Sequence, residues 1–595
     1  MNPATYWARA FTDELARSGI RHACVAPGSR STPLVLALAS DERFRCTVHL
    51  DERVAAFFAL GFGKATGEPA LVLTTSGTAA ANLFPAVVEA SMAETPLLVV
   101  TADRPQRFRG TDANQTVDQV RLFGGYVREF LDLPAPRLDA DDLLHVRVQA
   151  CRAVAAARGL PAGPVHVNVP FAKPLEPVPD DGAILRKASP RLRLAVEGRA
   201  DGSPLTRIPR SWVVPSPPDL DRLAGRVRSV LDGVIVAGPV PDPVRAGPAI
   251  VRLASAAGYP ILSDPMSGTR FGESHGATVL ARYDLFLRVP EVKEVLRPAL
   301  VLRIGKAPTS QVLVDWLAEM GDVPQIVIDP GVSWKDHQSV ASEYLKADPL
   351  AVAEAVAGRV GRPPSGAWRD RWRRYEEPSR EVVAAAHDAG FFEGTILAEV
   401  ARIVPPGNPV VISSSMPVRD MDAFAGPREE GLHVFGNRGA SGVDGVVSTT
   451  LGVAASTGHV AVAVIGDIAM YHDLGGLLAT REEGVDAIFV VVHNDGGGIF
   501  DMLPIREHEP HFTRFFTTPH GLDFKHAAGL FGLRYHRLTD RVGLRHGLRA
   551  ALAMGGSHIL EIHTDRMHNL RRRQDVAEAV ADAVRQRIPE QEREP

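Results

Sequence analysis

The sequence predicts an α/β protein made of three doubly wound parallel-sheet domains. Short runs of β-branched and aliphatic residues alternate with helical stretches in three parts of the 595-residue chain. This alternation is typical of βαβ units, which form parallel sheets. A content of 45% hydrophobic and 23% charged residues is the balance of a globular protein with buried cores. At about 150 residues per domain, and with allowance for the larger size of α/β domains, the length fits three domains.

The first α/β domain is predicted over residues 1–180. Its strand segments include HACVAPGS (22–29), PALVLTTSGT (69–78) and PLLVVTADRP (96–105). Ligands of open parallel sheets bind beyond the carboxyl ends of the strands. We therefore expect the residues that directly follow these strands to form a binding site.

The rest of the chain is predicted as a linker and two further domains. A stretch rich in proline, arginine and aspartate over 181–218 predicts a linker on the surface. The alternation resumes over 219–355, the central α/β domain, and again over 380–585, the third α/β domain. The central domain lacks the GxGxxG fingerprint of dinucleotide-binding folds.

The first and third domains share a short pattern. Leu60-Gly61 is followed six residues later by Gly67 and a strand, and Leu451-Gly452 is followed six residues later by Gly458 and a strand. The same helix, turn and strand unit is therefore expected twice, which supports an internal duplication.

Charge, hydropathy and cysteine content exclude several function classes. The net charge of -4 gives no overall field that attracts nucleic acid or an anionic membrane. No apolar run approaches the about 18 residues that a membrane-spanning helix needs, and the N-terminus does not have the pattern of a secretory signal. Cys24, Cys46 and Cys151 form no CxxC pair and no disulfide framework. We expect a cytoplasmic protein with no nucleic-acid partner and no membrane span.

The strongest local motif pairs VAVAVIGDIAM (460–470) with AIFVVVHNDGGG (487–498). Each begins as a buried strand, and the strands end near Asp467 and Asn494, which are 27 residues apart with a helical segment between them. This is a βαβ crossover, so both residues leave the sheet at the same edge. A carboxylate, an amide oxygen and the carbonyl of Gly496 suit Mg²⁺. A site with so little charge usually needs phosphate oxygens, which the backbone N–H groups after Gly466 could bind, so a diphosphate cofactor is predicted.

Glu52 is a carboxyl group at a predicted strand end, and an apolar helix follows it at once. A glutamate held against apolar surface can share a proton with a ring nitrogen. Taken alone, however, an acidic residue at this place is more simply explained by its favourable interaction with the helix dipole.

Together these motifs resemble those of thiamine diphosphate enzymes, and more specifically the 2-succinyl-5-enolpyruvyl-6-hydroxy-3-cyclohexene-1-carboxylate synthase family of menaquinone biosynthesis. GDI (466–468) and VVHNDGG (491–497) are similar to the metal and diphosphate motif of the superfamily, and Glu52 falls at the position of its cofactor-activating glutamate. The resemblance covers the first and third domains, about two-thirds of the chain. It implies that 1–180 is a pyrimidine-binding domain and that 380–585 is a diphosphate- and magnesium-binding domain. The segments that carry it more specifically are CVAPGSRSTPL (24–34), HLDERVAAFFALG (49–61), TSGTAAANLFPAVVEA (75–90), TADRP (101–105), ANQT (113–116) and FGNRGASGVDG (435–445).

The resemblance implies a thiamine diphosphate-dependent transferase, a carboligase of the transketolase class. Members of the family add 2-oxoglutarate to isochorismate with loss of CO₂, and each substrate carries two carboxylates. Arginine suits such substrates because its guanidinium group binds carboxylates bidentately and stays charged when desolvated. The four arginines in matching motifs are Arg30, Arg104, Arg419 and Arg438. The implied assembly is a homodimer or homotetramer in which Glu52 of one chain meets the diphosphate site of another.

Residue roles follow from the resemblance position by position. Glu52 would act on the aminopyrimidine ring of the cofactor, and Val443 would be the apolar wedge that keeps the cofactor bent. The metal, Mg²⁺ or Mn²⁺, would be bound by Asp467, Asn494 and Gly496. The cofactor-binding residues would be Glu52, Ser415, Val443, Gly466, Ile468 and Ala469. The substrate-binding residues would be Ser29, Arg30, Arg104, Asn114, Gln115, Ser415, Arg419 and Arg438.

Two other functions remain open at this point. Another thiamine diphosphate 2-ketoacid decarboxylase or carboligase, such as acetolactate synthase, would keep Glu52 and the GD…N motif but would not need PGSRSTPL or the four arginines. A dinucleotide-binding oxidoreductase is disfavoured because its glycine fingerprint is missing. The segment 500–520 is either a lid that closes on substrate or a surface excursion without a role.

The central domain departs from the family pattern. Some members have a basic residue where this chain has Gln311 and Val312, with Lys306 five residues earlier. No site residue is therefore assigned to the central domain.

Overall fold

The computed structural model describes residues 2–178, 188–331, 333–361 and 366–589. The chain divides into two compact units. The first unit consists of Met1–Ser211, Asn437–Gly458 and His472–Val485, and the second of Trp212–Gly436, His459–Tyr471 and Asp486–Pro595. Within the described residues, the strands form three parallel sheets of six strands each, which confirms the predicted fold class. No helix of this part of the chain is both long and apolar enough to cross a membrane.

The first unit contains one sheet, in the order β2-β1-β3-β4-β6-β5. Its strands are β1 (His22–Val25), β2 (Arg45–Val48), β3 (Ala70–Thr74), β4 (Leu97–Asp103), β5 (Glu129–Asp132) and β6 (Pro164–Pro170). Strands β3, β4 and β6 are buried along their whole length, as expected for a parallel sheet covered on both faces. The helices before residue 211 are Pro3–Arg17, Thr32–Ala39, Glu52–Thr66, Thr78–Ala81, Phe84–Ala93, Ala140–Ala157 and Pro190–Glu197.

Part of the predicted linker is helical. The helix Pro190–Glu197 starts where the Ser189 hydroxyl accepts a hydrogen bond from the Leu192 N–H. Its last turn is held by the buried Arg147, which donates to the backbone carbonyls of Ala195 and Val196 at 2.8 and 2.7 Å. Two turns of helix are too short to show a periodic pattern in the sequence. Residues 181–187 of the predicted linker lie outside the described residues, and the domain boundaries stay a prediction.

The repeated pattern corresponds to two helices that pack closely within the first unit, Glu52–Thr66 and Val446–Thr457. A Cβ atom on Gly61 would lie 2.2 Å from the Thr449 carbonyl oxygen, and one on Gly452 would lie 2.0 Å from the Phe58 carbonyl oxygen. Glycine at both positions is what allows the two backbones to approach. The contact is reciprocal, as expected for equivalent helices of duplicated halves.

The second unit contains the central sheet, in the order β12-β11-β10-β7-β8-β9. Its strands are β7 (Gly233–Ala237), β8 (Ile261–Ser263), β9 (Val279–Leu280), β10 (Leu300–Ile304), β11 (Gln325–Ile328) and β12 (Glu343–Leu345). The helices of this region are Pro217–Ser229, Pro243–Ala257, Tyr283–Phe286, Pro290–Val295, Gln311–Glu319, Pro349–Val360 and Ala367–Ala389.

The third sheet also belongs to the second unit, and its order, β14-β13-β15-β16-β18-β17, repeats the topology of the first sheet. Its strands are β13 (Val410–Ile412), β14 (Val434–Phe435), β15 (Ala461–Gly466), β16 (Ala487–His493), β17 (Arg534–Leu538) and β18 (His558–His563). The α-helices along this stretch are Glu393–Ile403, Met416–Phe424, Val446–Thr457, Asp467–His472, Leu478–Glu482, Phe524–Phe531, Arg541–Met554 and Arg566–Arg585. Strands β15 and β16 pair in parallel, with Gly466 opposite Val492. The residues that follow these two strands therefore leave the sheet side by side.

Candidate active site

Asp467 follows β15, and its buried carboxylate binds the loop that follows β16. Oδ2 accepts hydrogen bonds from the backbone N–H groups of Asn494 and Gly496, both at 3.1 Å. Oδ1 accepts from the N–H of Ile468 at 2.7 Å. Strand pairing and these three hydrogen bonds bring the predicted metal ligands Asp467, Asn494 and Gly496 together.

The Asn494 side chain presents its oxygen as a free ligand atom. Its Nδ2 donates to Glu393 Oε1 at 3.0 Å, while its Oδ1 is buried and has no hydrogen-bond partner among the described residues. A buried oxygen without a partner costs free energy, which a bound cation would recover. A carboxylate, this amide oxygen and a backbone carbonyl are the oxygen ligands that Mg²⁺ takes, so the residues fit the metal.

The predicted diphosphate-binding residues lie along the same sheet edge. The start of the helix Asp467–His472 lies among Gly466, Ile468 and Ala469. A Cβ on Gly466 would have no atom within 4 Å, so the space beside this residue is open. Ser415 follows β13, which pairs with β15, and its φ of 70° turns the chain into the next helix. Arg419, one helical turn on, donates to the Ser415 carbonyl at 2.6 Å. We call Ser415, Arg419, residues 466–469, Asn494 and Gly496 the Asp467 edge.

Two histidines that the sequence analysis did not select approach Asp467. His520 Nε2 lies 3.4 Å and His493 Nε2 lies 4.0 Å from Asp467 Oδ2. His493 Nδ1 lies 2.5 Å from the buried Glu561. Burial lowers the pKa of His493, but the hydrogen bond to Glu561 and the charge of Asp467 outweigh it, so the pKa is raised. The sequence could have indicated His493 by its position, since it is the last residue of the strand that Asn494 follows.

The segment 500–520 is folded into short helical turns, among them Pro504–Glu507 and Thr513–Thr517. The Gly497 N–H donates to the Thr517 carbonyl at 2.8 Å. A Cβ on Gly496, whose φ is 139°, would lie 2.1 Å from the same carbonyl. The segment thus packs directly on the glycine loop of the Asp467 edge. Its role as a lid stays a prediction.

Glu52 lies in the first unit, at the start of the helix Glu52–Thr66. The helix is capped by Asp51, whose side chain accepts hydrogen bonds from the N–H groups of Arg53 and Val54. Glu52 is therefore not needed as the cap. Its side chain is partly exposed, and Oε2 accepts a hydrogen bond from Asn82 at 3.1 Å.

Ser29 and Arg30 form a 3₁₀ turn shortly after β1, which ends at Val25, as predicted for a strand exit. The Arg30 N–H donates to the Thr75 hydroxyl at 3.2 Å, and its Nη1 donates to the Phe171 carbonyl at 2.7 Å. The guanidinium group is buried, its Nε has no hydrogen-bond partner, and it forms no ion pair within the described ranges. Its positive charge is therefore open to a ligand carboxylate.

Hydrogen bonds bring Arg104, Asn114 and Gln115 to the sheet edge at which Arg30 also lies. Arg104 Nη2 donates to the Asn114 carbonyl at 2.8 Å. Gln115 and Ser76 exchange hydrogen bonds, with Gln115 Nε2 donating to the Ser76 carbonyl at 2.9 Å and the Ser76 hydroxyl donating to the Gln115 carbonyl at 3.0 Å. The ANQT loop is thereby fixed to the end of β3. We call Ser29, Arg30, Glu52, Arg104, Asn114 and Gln115 the Glu52 edge.

The loop 436–445 carries Arg438 and Val443, and two of its backbone N–H groups donate hydrogen bonds to the Glu89 carboxylate. Glu89 Oε1 accepts from the Gly439 N–H at 3.0 Å, and Oε2 accepts from the Ala440 N–H at 2.7 Å. Lys64 forms an ion pair with Glu89 at 3.0 Å. Glu89 was not among the residues selected from the sequence, although a single acid within the apolar stretch AVVEAS was a signal.

The site residues fall into the two units. Glu52, Val443 and the substrate residues other than Ser415 and Arg419 belong to the first unit, and the Asp467 edge belongs to the second. Each group is assembled within its own unit by strand pairing and local hydrogen bonds.

Comparison with known proteins identifies the family. Residues 6–122 match the family model "Thiamine pyrophosphate enzyme, N-terminal TPP binding domain", residues 226–411 match "Middle domain of thiamine pyrophosphate", and residues 424–562 match "Thiamine pyrophosphate enzyme, C-terminal TPP binding domain". Three curated relatives share the name 2-succinyl-5-enolpyruvyl-6-hydroxy-3-cyclohexene-1-carboxylate synthase. The relative from Halobacterium salinarum is 46% identical over 97% of this chain and 98% of its own. The relative from Natronomonas pharaonis is 42% identical over 98% and 99%, and that from Chloroflexus aurantiacus is 40% identical over 98% and 97%. With this identity over nearly its full length, the chain belongs to the 2-succinyl-5-enolpyruvyl-6-hydroxy-3-cyclohexene-1-carboxylate synthase family of thiamine diphosphate-dependent enzymes.

Proposed function

We propose that the protein catalyses the decarboxylating addition of 2-oxoglutarate to isochorismate in menaquinone biosynthesis. The products are 2-succinyl-5-enolpyruvyl-6-hydroxy-3-cyclohexene-1-carboxylate and CO₂, and the reaction is that of a transferase of the transketolase class. The observation that carries the proposal is the nearly full-length match to relatives that bear the name of this synthase. An acetolactate synthase is not favoured, because the same match extends through the arginine-bearing motifs.

At the Asp467 edge, we assign the metal and the cofactor's diphosphate. Asp467, Asn494 and the Gly496 carbonyl would hold Mg²⁺ or Mn²⁺, and the free Oδ1 of Asn494 supports this assignment. Ser415 and the turn 466–469 would contact the diphosphate. Thiamine diphosphate, when bound, supplies the nucleophilic carbon for decarboxylation and carbon–carbon bond formation.

At the Glu52 edge, Glu52 would hydrogen-bond the aminopyrimidine ring and exchange a proton with it, with Val443 as the apolar support of the cofactor. The partial exposure of Glu52 supports a homo-oligomer, dimer or tetramer, in which another subunit covers it. A carboxylate that must exchange a proton with a ring nitrogen works best where water is excluded. The active sites would thus lie at subunit interfaces.

The substrate carboxylates would be bound by arginines. Arg30 and Arg104 both have a buried Nε without a hydrogen-bond partner among the described residues, so each retains a donor for a ligand. Arg419 and Arg438 would complete the set. Ser29, Asn114, Gln115 and Ser415 would add neutral hydrogen bonds that orient the two substrates.

We place the reaction in the cytoplasm. The support is the three free cysteines, Cys24, Cys46 and Cys151, which suit a reducing compartment.

The test is consumption of 2-oxoglutarate by the purified protein with thiamine diphosphate and Mg²⁺, with and without isochorismate. CO₂ release and the mass of the product are followed together. Turnover that requires both substrates and both cofactors, with a product mass equal to isochorismate plus the succinyl semialdehyde unit, is the expected result. Consumption of pyruvate in place of 2-oxoglutarate would leave the cofactor assignment standing and contradict the substrate assignment.

A further inference from the structure

We propose that Glu393 is a positioning residue that orients the Asn494 side chain, so that its amide oxygen rather than its amide nitrogen faces the metal. The inference rests on the metal site proposed above. It concerns a residue about a hundred positions away in the chain, in the first turn of the helix Glu393–Ile403.

Glu393 is itself fixed by a buried hydrogen-bond network. Its side chain is buried, and Oε1 accepts from Asn494 Nδ2 at 3.0 Å and from the Thr564 hydroxyl at 2.8 Å. Oε2 accepts from Asn569 Nδ2 at 3.0 Å, and the Glu393 N–H donates to Asn569 Oδ1 at 3.1 Å. The backbone N–H thus determines which end of the Asn569 amide faces the carboxylate. The carboxylate in turn has donors on both oxygens.

This network decides the orientation of Asn494. Both oxygens of Glu393 accept hydrogen bonds from the donors around them, so the group that faces Glu393 Oε1 is the NH₂ end of the Asn494 amide. The oxygen is then directed away from Glu393, and it is the buried atom without a partner. A half-turn of the amide would change its shape very little but would place an NH₂ group, which cannot bind a cation, at the metal position.

Loss of Glu393 is therefore expected to weaken the metal site without removing a metal ligand. Partners behind the metal ligands typically contribute about 10–100-fold in metal affinity. In E393Q, one end of the new amide is an NH₂ group. This NH₂ group must face either Asn569 Nδ2 or the donors of Asn494 and Thr564. In both orientations one hydrogen-bond donor therefore faces another donor. Turning the Asn494 amide relieves one of these conflicts.

The experiment measures Mn²⁺ binding to the full-length protein with thiamine diphosphate present, by electron paramagnetic resonance of free Mn²⁺. E393Q is expected to bind Mn²⁺ about 10–100-fold more weakly than the unaltered protein. T564V removes a different donor from Glu393 and leaves the Asn494 contact in place, so its affinity is expected to stay close to that of the unaltered protein. Thermal unfolding of each variant reports whether the fold is retained.

A double variant separates orientation from general disruption. In E393Q/N494D, both atoms that can face the metal are oxygens, and the glutamine NH₂ can donate to the aspartate. Most of the Mn²⁺ affinity is expected to return. N494D alone places two carboxylates together and is expected to bind more weakly than the double variant. This pair can be compared even if E393Q alone does not fold.

The outcomes distinguish the two proposals. If the unaltered protein does not bind Mn²⁺, the metal site of the proposed function is wrong. If the unaltered protein binds Mn²⁺ and E393Q binds it equally well, or the double variant binds no more tightly than N494D, the positioning role of Glu393 is wrong and the metal site stands.

Discussion

The Asp467 edge and the Glu52 edge differ in how completely their surroundings are built. The Asp467 carboxylate is buried and accepts three backbone hydrogen bonds, and its neighbour Asn494 is oriented by the buried Glu393. Glu52 is partly exposed and accepts a hydrogen bond from Asn82. The Asp467 edge is thus organised by strand pairing within one unit. The Glu52 edge is more exposed by comparison, and we propose that a second subunit covers it.

The largest effect that tests this comparison is expected for E52Q. Glutamine keeps the shape but cannot exchange a proton, so turnover is expected to fall by about 10²–10⁴-fold. Mn²⁺ affinity and thermal unfolding are expected to stay unchanged, because Glu52 is partly exposed and caps no helix. E42Q, at an exposed glutamate, is the control for turnover. Normal turnover of E52Q would show that the Glu52 edge has been assigned wrongly.

D467N, in contrast to E52Q, is expected to lose Mn²⁺ affinity. The variant removes the charge of the metal site, and its NH₂ group meets backbone N–H donors that now face a carboxylate. Mn²⁺ affinity is expected to fall by more than about 100-fold, beyond the range for residues that only support a ligand. Titration with Mn²⁺ measures it. An affinity close to that of the unaltered protein would place the cation away from Asp467.

Local sequence patterns were enough to predict the fold class and to place Asp467, Asn494 and Gly496 at one edge of a sheet. Strand runs that end in GD and ND identify both the sheet and the residues leaving it, because parallel strands share an edge. The duplicated helix pattern at Gly61 and Gly452 could also be found, since the close approach requires glycine at both positions.

The supporting residues could not be predicted, because they act across long chain separations. Glu393 meets Asn494 across 101 residues, and Glu89 meets Ala440 across 351. Glu393 is an acidic residue in a helix of ordinary composition, so no spacing distinguishes it from a surface glutamate. Glu89 differs as a single acid in an apolar stretch, but the sequence does not show which loop it binds. The order of the strands within each sheet, which brings such pairs together, is likewise a tertiary property.

The stability of the helix Glu393–Ile403 is expected to depend on pH through Glu399, which lies on this helix. Its buried carboxylate forms ion pairs with Arg541, Arg545 and Arg402 at 2.6 to 2.7 Å. Burial raises the pKa of Glu399, but the hydrogen bonds from these arginines outweigh it and lower the pKa from 4.5 to about 2. Because the pKa is depressed on folding, the stabilisation is present above pH 4.5 and is lost as the pH falls toward 2.

E399Q is therefore expected to destabilise the helix Glu393–Ile403 at pH 7 by about 2 kcal/mol, a factor of roughly 30 in the opening equilibrium. Hydrogen–deuterium exchange of that helix at pH 7 and pH 3 measures the change. The difference between E399Q and the unaltered protein should shrink at pH 3, since the carboxylate is then almost fully protonated in the unfolded state but still mostly ionised in the folded state, so that folding requires the loss of a proton. A difference that is the same at both pH values would mean that the ion pairs contribute little. The exchange of the helix Glu52–Thr66, in the first unit, serves as the internal reference.

The smallest effect is expected at the buried anchor of the first unit, Glu89. Its carboxylate binds two successive N–H groups of the loop that carries Arg438, and glutamine can accept from only one of them without setting its NH₂ group against the other. Loss of one hydrogen bond to a charged acceptor, about 1.5 kcal/mol, corresponds to an increase of about tenfold in the KM of the substrate that Arg438 binds. Steady-state kinetics of E89Q with each substrate varied in turn will identify that substrate.

Mn²⁺ affinity is expected to stay unchanged, because Glu89 contacts the loop of Arg438 and not the Asp467 edge. An unchanged KM for both substrates would mean that the loop of Arg438 keeps its shape without Glu89.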